Sequence, residues 1–259
     1  MSSSLAVQVG TVARRSVVRT ARQPAQIVPS LVFPLCLLAI NAGGLDAATD
    51  LPGFPTDSYL TFALAIPFIQ GGLFAIMNGG MDLARDIETG FMDRLSLTPL
   101  RGYALIAGQL AGVTVLGAFQ SAVYLAVGLA VGAEFEAGPA GIPVLLALSV
   151  AIVFACGCVG TFAALRLGNS EAVQGLFPLF FVFLFLSSMA LPREMIEQDW
   201  FRTIATWNPF SYLIEGVRSL FVTGFDGEAL ALAFGVALAI GVVFLTAGAG
   251  SLRMRMTRT

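Results

Sequence analysis

Residues able to do chemistry are few in this chain, and they gather in two places. Positions 82–101 read DLARDIETGFMDRLSLTPLR, a charged insert between long uncharged stretches. Positions 189–224 read MALPREMIEQDWFRTIATWNPFSYLIEGVRSLFVTG. Neither contains a catalytic set. All fourteen basic residues of the chain are Arg, with no Lys and no His. A P-loop needs its Lys on the nucleotide phosphates, so this chain cannot itself be a hydrolase of that kind. Without His there is no His-based triad, no H-E-x-x-H zinc site and no His proton relay. Cys36, Cys156 and Cys158 all lie in apolar stretches. A C-x-C pair without His nearby is a poor zinc set, and these cysteines read as small packing residues. No enzyme activity and no cofactor are expected in this chain.

The elements that must position these residues are membrane spans. Of the 259 residues, 57% are hydrophobic and 12% charged, with a mean hydropathy of +0.85. Soluble chains run near one-quarter charged. Six stretches free of Asp, Glu and Arg are long enough to cross a bilayer at about 20 residues each. They are Gln26–Leu45, Tyr59–Met81, Gly102–Ala133, Ala137–Leu165, Ala172–Pro192 and Ala229–Leu252. Their polar groups are amides and hydroxyls, among them Asn41, Gln70, Asn78, Gln109, Gln120 and Gln174. Ion-driven transporters generally need intramembrane carboxylates or cations as relays. Charge-free spans therefore disfavour secondary active transport, and energy for uphill movement would enter from another chain.

Six spans put both termini on one side, together with Arg14, Arg15, Arg19, Arg22, Arg85, Arg94, Arg101, Arg166, Arg253, Arg255 and Arg258. The other side holds only Arg193, Arg202 and Arg218. The positive-inside bias assigns the termini to the cytoplasm. Trp200–Gly224 is fairly apolar but contains Arg202, Glu215 and Arg218. Charges cost roughly 2.5–3.5 kcal/mol each at mid-membrane, so this segment is expected to sit at the outer interface as a partly buried hairpin. Leu5–Arg22 reads as an amphipathic helix on the inner surface, with Val7, Val12 and Val18 toward lipid and its arginines toward anionic headgroups. A cleaved twin-arginine signal is the weaker reading of that end, because Arg19, Arg22, Pro29 and Pro34 interrupt the pattern.

Within the first charged segment, Asp82, Arg85, Asp86, Glu88, Asp93 and Arg94 fall on a predicted helix interrupted at Gly90. Their spacing gives no clean set of i,i+4 pairs, so they either await a partner or only set topology. Thr98-Pro99 ends that helix, since the residue before Pro is pushed toward extended geometry. In the second segment, Asn208-Pro209 is a helix start, with Asn as cap and Pro at the first position. Phe210, Leu213, Val217 and Leu220 then repeat at helical spacing, and Glu215 and Arg218 are expected to pair. Phe177, Phe180, Phe181, Phe183 and Phe185 cover every face of the fifth predicted span. That density suits either internal packing or a seam and pathway for apolar cargo. Asn41, Gln70 and Asn78 on the first two spans are the alternative pathway lining.

With both segments in view, the chain resembles the membrane subunit of type-2 ABC exporters, the permease family that includes daunorubicin-resistance permeases. One shared motif is D-x-E-x-G-x-x-x-x-L-x-x-T-P, here Asp86, Glu88, Gly90, Leu95, Thr98 and Pro99. A second is L-P…W-N-P-x-x-Y-x-x-E-x-x-R, here Leu191, Pro192, Trp207, Asn208, Pro209, Tyr212, Glu215 and Arg218. The resemblance covers the whole chain. It implies a single all-α transmembrane domain over 1–259, with an interfacial helix over 1–25, a coupling loop over 82–101 and an outer re-entrant hairpin over 193–228. In that reading Asp86, Glu88, Gly90, Arg94, Leu95, Thr98 and Pro99 couple to an ATPase, and Asn208, Pro209, Tyr212, Glu215 and Arg218 form the outer cap. It also implies two copies of a P-loop ATPase carrying ATP and Mg, a second permease (an identical or related chain) and membrane lipids as partners, and no nucleic acid. The expected activity is export of a hydrophobic drug, polyketide or lipid, as in multidrug and antibiotic resistance. A glycan exporter, a secondary transporter and a non-transporting membrane scaffold are the alternatives. The abundance of Ala, Gly, Val and Arg suggests a high-GC bacterium and its cytoplasmic membrane.

Overall fold

The computed structural model describes residues 5–90 and 102–256, and among them every regular element is a helix. In chain order these are α1 (Leu5–Ala21), α2 (Pro24–Gly44), α3 (Tyr59–Ala63), α4 (Ala65–Glu88), α5 (Gly102–Ala130), α6 (Gly138–Leu167), α7 (Ser170–Gly175), α8 (Phe177–Phe185), α9 (Asp199–Trp207), α10 (Pro209–Val222) and α11 (Gly227–Met256). Short 3-10 turns lie at Asp46–Asp50 and Arg193–Met195. The all-α membrane architecture expected from hydropathy is present.

Among the described residues, five helices are long and apolar enough to cross a bilayer: α2, the run Tyr59–Glu88 formed by α3 and α4, α5, α6 and α11. The fifth predicted span, Ala172–Pro192, is not one continuous helix. It divides into α7 and α8 at Leu176, and α8 ends at Leu186. Pro178 has no N–H to give to the Gln174 carbonyl four residues back, and Gly175 adds a weak helix position. The chain then turns at Ser187 and Ser188 instead of continuing to Pro192.

Helix α4 is the axis of the fold and is buried on nearly every side. In lipid there is little hydrophobic force between helices, so close packing and polar contacts must hold them. Here α4 and α6 meet backbone to backbone. A Cβ on Gly160 would lie 2.2 Å from the Ile76 carbonyl oxygen, and one on Gly80 would lie 2.9 Å from that of Gly160. No other residue fits at Gly160 without moving a helix. Around this axis Phe62, Phe68, Leu145, Leu148, Val217 and Phe221 form the main core. A smaller cluster of Leu83, Ile106, Leu165 and Leu252 closes the end that carries α1 and the last turn of α11.

Helix α2 is attached differently. Only Ser30, Pro34 and Leu38 are buried along it, while Val28, Val32, Phe33 and Ile40 are exposed. Pro34 cannot donate to the Ser30 carbonyl, and the Tyr124 hydroxyl of α5 supplies the missing bond at 2.5 Å. Gln120 Nε2 donates to Ser30 Oγ at 2.6 Å, one turn away on α5. A proline-induced orphan thus becomes the fastening point between α2 and α5.

Helix α1 lies along α5. Its buried Ser16 sits over Gly112 and donates to the Gln109 carbonyl at 3.4 Å, while Arg14 and Val18 remain exposed. The side chains of Val7 and Val12 lie outside the described residues.

Candidate functional site

At the α1-bearing end, the helix of the second span does not stop at Met81. It runs unbroken through Asp82 and Asp86 to Glu88. It ends where Gly90 adopts φ +64°, with the Thr89 and Gly90 amides bonding back to Arg85 and Ile87 carbonyls. A left-handed glycine is the usual way to stop a helix. The charged segment therefore begins as a rigid extension of α4, and Gly90 terminates it.

Three of these charges, Asp82, Asp86 and Glu88, have partners within the subunit. Arg19 of α1 places Nη1 2.9 Å from Asp86 Oδ1 and Nη2 3.4 Å from Asp82 Oδ1. Glu88 accepts from the Ser170 backbone N–H at 2.8 Å and from its hydroxyl at 3.1 Å. The partners lie 67 and 82 residues away in sequence, so local spacing could not reveal them. Of the predicted coupling residues, Asp86, Glu88 and Gly90 are thus brought to one end of α4. Arg94, Leu95, Thr98 and Pro99 lie outside the described residues.

At the opposite end, α9 leads directly into α10 at Asn208, within the segment predicted as an outer hairpin. Asn208 caps α10 as its sequence predicted, its Oδ1 accepting from the Phe210 N–H at 2.9 Å. The same side chain reaches back: Nδ2 donates to the Phe183 carbonyl at 2.6 Å and the Leu186 carbonyl at 3.0 Å. Carbonyls in the last turn of a helix have no partner within it, so one Asn closes the end of α8 while starting α10. Pro209 occupies the first turn of α10.

The expected Glu215–Arg218 pair does not form. Glu215 is ion-paired with Arg193, which also lies over the Tyr212 ring at 4.6 Å. Burial lowers the Arg193 guanidinium, but Glu215 and Tyr212 outweigh it and leave it above its ordinary value. Tyr212 donates to the Thr206 carbonyl at 2.9 Å, bracing α10 on α9. Arg218 is buried and points to backbone instead. It donates to the carbonyls of Phe62 (3.2 Å), Ser188 (3.0 Å) and Met189 (3.0 Å), with its guanidinium 3.6 Å from the Phe62 ring centroid. Tyr59 adds a bond to the Ala190 carbonyl at 3.0 Å. The fork of Arg suits three carbonyls converging from α3 and the turn after α8.

The predicted pathway residues separate into groups. Gln70 and Asn78 are buried inside the subunit, and Asn41 is half-buried near the far end of α2. Phe177, Phe180 and Phe181 pack on the core, with Phe74–Phe177 and Phe33–Phe181 centroids 5.3 and 5.7 Å apart. Phe183 is exposed, beside exposed Leu179, Val182 and Phe185. The aromatic helix therefore has one face for the subunit and one turned away from it. Sequence reading missed an apolar groove of about 700 Å³ between α5, α6 and α11, lined by Ile106, Leu110, Val115, Phe154 and Leu245. The hydroxyls there, Thr114 and Thr246, are spent on their own helix carbonyls, so the groove offers hydrocarbon only.

The sequence of this helical membrane chain matches a known family. Residues 7–222 match the ABC-2 type transporter membrane family. The chain belongs to that family. Relatives include the transport permease ycf38 of Pyropia yezoensis, 28% identical over 85% of this chain and 76% of its own length. The transport permease ycf38 of Porphyra purpurea is 26% identical over 83% of this chain and 74% of its own. This ABC-2 chain is accordingly a multi-pass membrane protein of the transport-permease kind, and the matched region ends at the last residue of α10.

Proposed function

We propose that the chain is the permease subunit of an ATP-driven exporter that moves an apolar drug, polyketide or lipid-like molecule out across a bacterial cytoplasmic membrane. Two copies of a separate P-loop ATPase, with ATP and Mg, power it, and a second permease completes the path. The termini face the cytoplasm in this reading, as the arginine distribution supports. The observation that carries the proposal is the unbroken α4. Its charged extension to Gly90 is continuous with the most buried helix of the subunit, so a push on the loop after Gly90 reaches the core without an intervening joint. Asp86, Glu88 and Gly90, with Arg94, Leu95, Thr98 and Pro99, form the coupling element. Asn208, Pro209, Tyr212, Glu215 and Arg218 form the outer cap.

An apolar cargo is favoured by the hydrocarbon groove and by the exposed Phe183 face, since neither offers an unpaired polar group to a glycan. The exposed face of α8 is also where a second permease would meet this one. The test is co-purification with the ATPase, followed by ATPase assay and uptake into inside-out vesicles. Stimulation of hydrolysis and ATP-dependent uptake of apolar compounds are expected. An ATP-independent, gradient-driven uptake would replace this reading with a secondary transporter.

A further inference from the structure

Between α2, α4 and α5 lies a small enclosed cavity lined by Gln26, Asn78, Asp82 and Gln120, with Phe74 and Val113 completing its apolar wall. Two groups lining it, Gln26 Oε1 and Asn78 Nδ2, are buried without a hydrogen-bond partner in the protein, and Asp82 Oδ1 has the Arg19 guanidinium at an ion-pair distance of 3.4 Å but no hydrogen bond. Asn78 is 6% exposed and Asp82 5%. A buried polar group left unsatisfied is destabilising, so two unpaired groups and a carboxylate oxygen held only by a distant guanidinium, all around one space, call for a shared partner. The cavity gives about 10 Å³ to the centre of a water-sized sphere, which is room for one such molecule.

The chemistry of the three atoms selects the occupant. Gln26 Oε1 needs a donor and Asp82 Oδ1 can accept a closer one than Arg19, whereas Asn78 Nδ2 needs an acceptor. A molecule that donates twice and accepts once satisfies all three. Water does this, and three bonds is the usual number for a buried water. A sodium ion would serve the two oxygens but leave the Asn78 amide unpaired. It would also sit near the Arg19 guanidinium, which lies 3.4 Å from Asp82 Oδ1.

We propose that one water molecule is bound here as part of the fold, donating to Gln26 Oε1 and Asp82 Oδ1 and accepting from Asn78 Nδ2. It joins α2 to α4 at the level where Arg19 joins α1 to α4. Together with Ser30 and Tyr124, it makes the polar attachment of α2 one of exchangeable hydrogen bonds rather than interlocked side chains. Helix α2 can then shift against the axis by re-forming bonds to water, which the glycine contact between α4 and α6 does not allow.

The direct test is a high-resolution cryo-EM map of the wild-type permease with its ATPase. A single peak within hydrogen-bond distance of all three atoms is expected, and clear density for the side chains without such a peak would overturn the proposal. The second test is thermal unfolding of the permease in lipid nanodiscs. Asn78→Leu displaces the water and strands Gln26 and Asp82, so Tm should fall by about 4 °C or more. An unchanged Tm would overturn the bridging role. Replacing choline chloride by sodium chloride at equal ionic strength should shift neither the wild type nor Asn78→Asp. A sodium-specific rise in Tm, larger in Asn78→Asp, would make the site a cation site instead.

Discussion

Glu88, the last residue of α4, holds Ser170, the first residue of α7, by both its backbone N–H and its hydroxyl. The axial helix is thereby tied, two residues before its glycine stop, to the broken helix that carries the phenylalanines. Charge-assisted bonds of this kind are worth about 1.5–3 kcal/mol when protected, and less here because Glu88 is exposed.

Cutting this tie should uncouple the transporter more than it unfolds it. Glu88→Ala should lower Tm by less than about 3 °C while reducing cargo moved per ATP hydrolysed several-fold. Ser170→Ala keeps the backbone donor and should lie between the two. The ratio of transport to hydrolysis in proteoliposomes is the measurement. An Glu88→Ala protein with wild-type stoichiometry would show the contact to be passive.

Arg19 joins α1 to two carboxylates one turn apart on α4. Arg19→Ala leaves Asp82 and Asp86 without their cation and lets α1 lift from α5. Cysteines placed at Ser16 and Gln109 in an otherwise cysteine-free protein should crosslink, and most of that yield should be lost in the Arg19→Ala background.

Arg218 should be the most sensitive position of the hairpin. Arg218→Lys keeps the charge but cannot span three carbonyls, so about 2–4 kcal/mol should be lost, or several degrees in Tm. Glu215→Gln, which touches only the half-exposed Arg193 pair, should cost about 1 kcal/mol or less. Thermal unfolding in detergent separates them, and equal losses would mean that the carbonyl fork carries no special weight.

The hairpin should stay on one side of the membrane. Single cysteines at Thr206 and Thr223, both exposed, should react from outside with an impermeant maleimide in a protein lacking Cys36, Cys156 and Cys158. Reaction of either one from the cytoplasm alone would require another crossing.

Phe180 and Phe183 should respond differently to a cation. Phe183→Arg alters an exposed face and should impair association with the second permease while the monomer remains folded. Phe180→Arg places the charge against the core and should lower expression and stability as well. Crosslinking from a photoreactive residue at position 183 to a second permease checks the first expectation.

Much of this was legible in sequence because the bilayer imposes length and polarity so strictly. Four of the five long apolar helices among the described residues begin and end within a few residues of a predicted span, and Asn208-Pro209 announced its helix through local chemistry alone. What was not legible depended on contacts between distant segments. Glu215 and Arg218 sit at pairing distance on one helix, yet each found a better partner elsewhere: Arg193 for one, three carbonyls for the other. The fifth span looked continuous because its residues are uniformly apolar, and hydropathy does not register what Pro178 does to the Gln174 carbonyl. The second span looked finished at Met81 because composition changes there, although the helix does not.

The burial of α4 has a consequence for how the protein is made. This helix leaves the ribosome before α5 and α6 exist, carrying Gln70, Asn78, Asp82 and Asp86, which are buried in the finished fold. From residue 88 to the end of α6 at residue 167, synthesis at roughly 5–20 residues per second takes about 4–16 s. For that time the future centre of the molecule must be held beside the insertion channel or shielded by α1 and α2 alone. The Arg19 clamp is available from the start, because α1 precedes α4 in the chain. It gives the earliest-made half of the protein a way to neutralise its carboxylates while it waits for the helices that will enclose it.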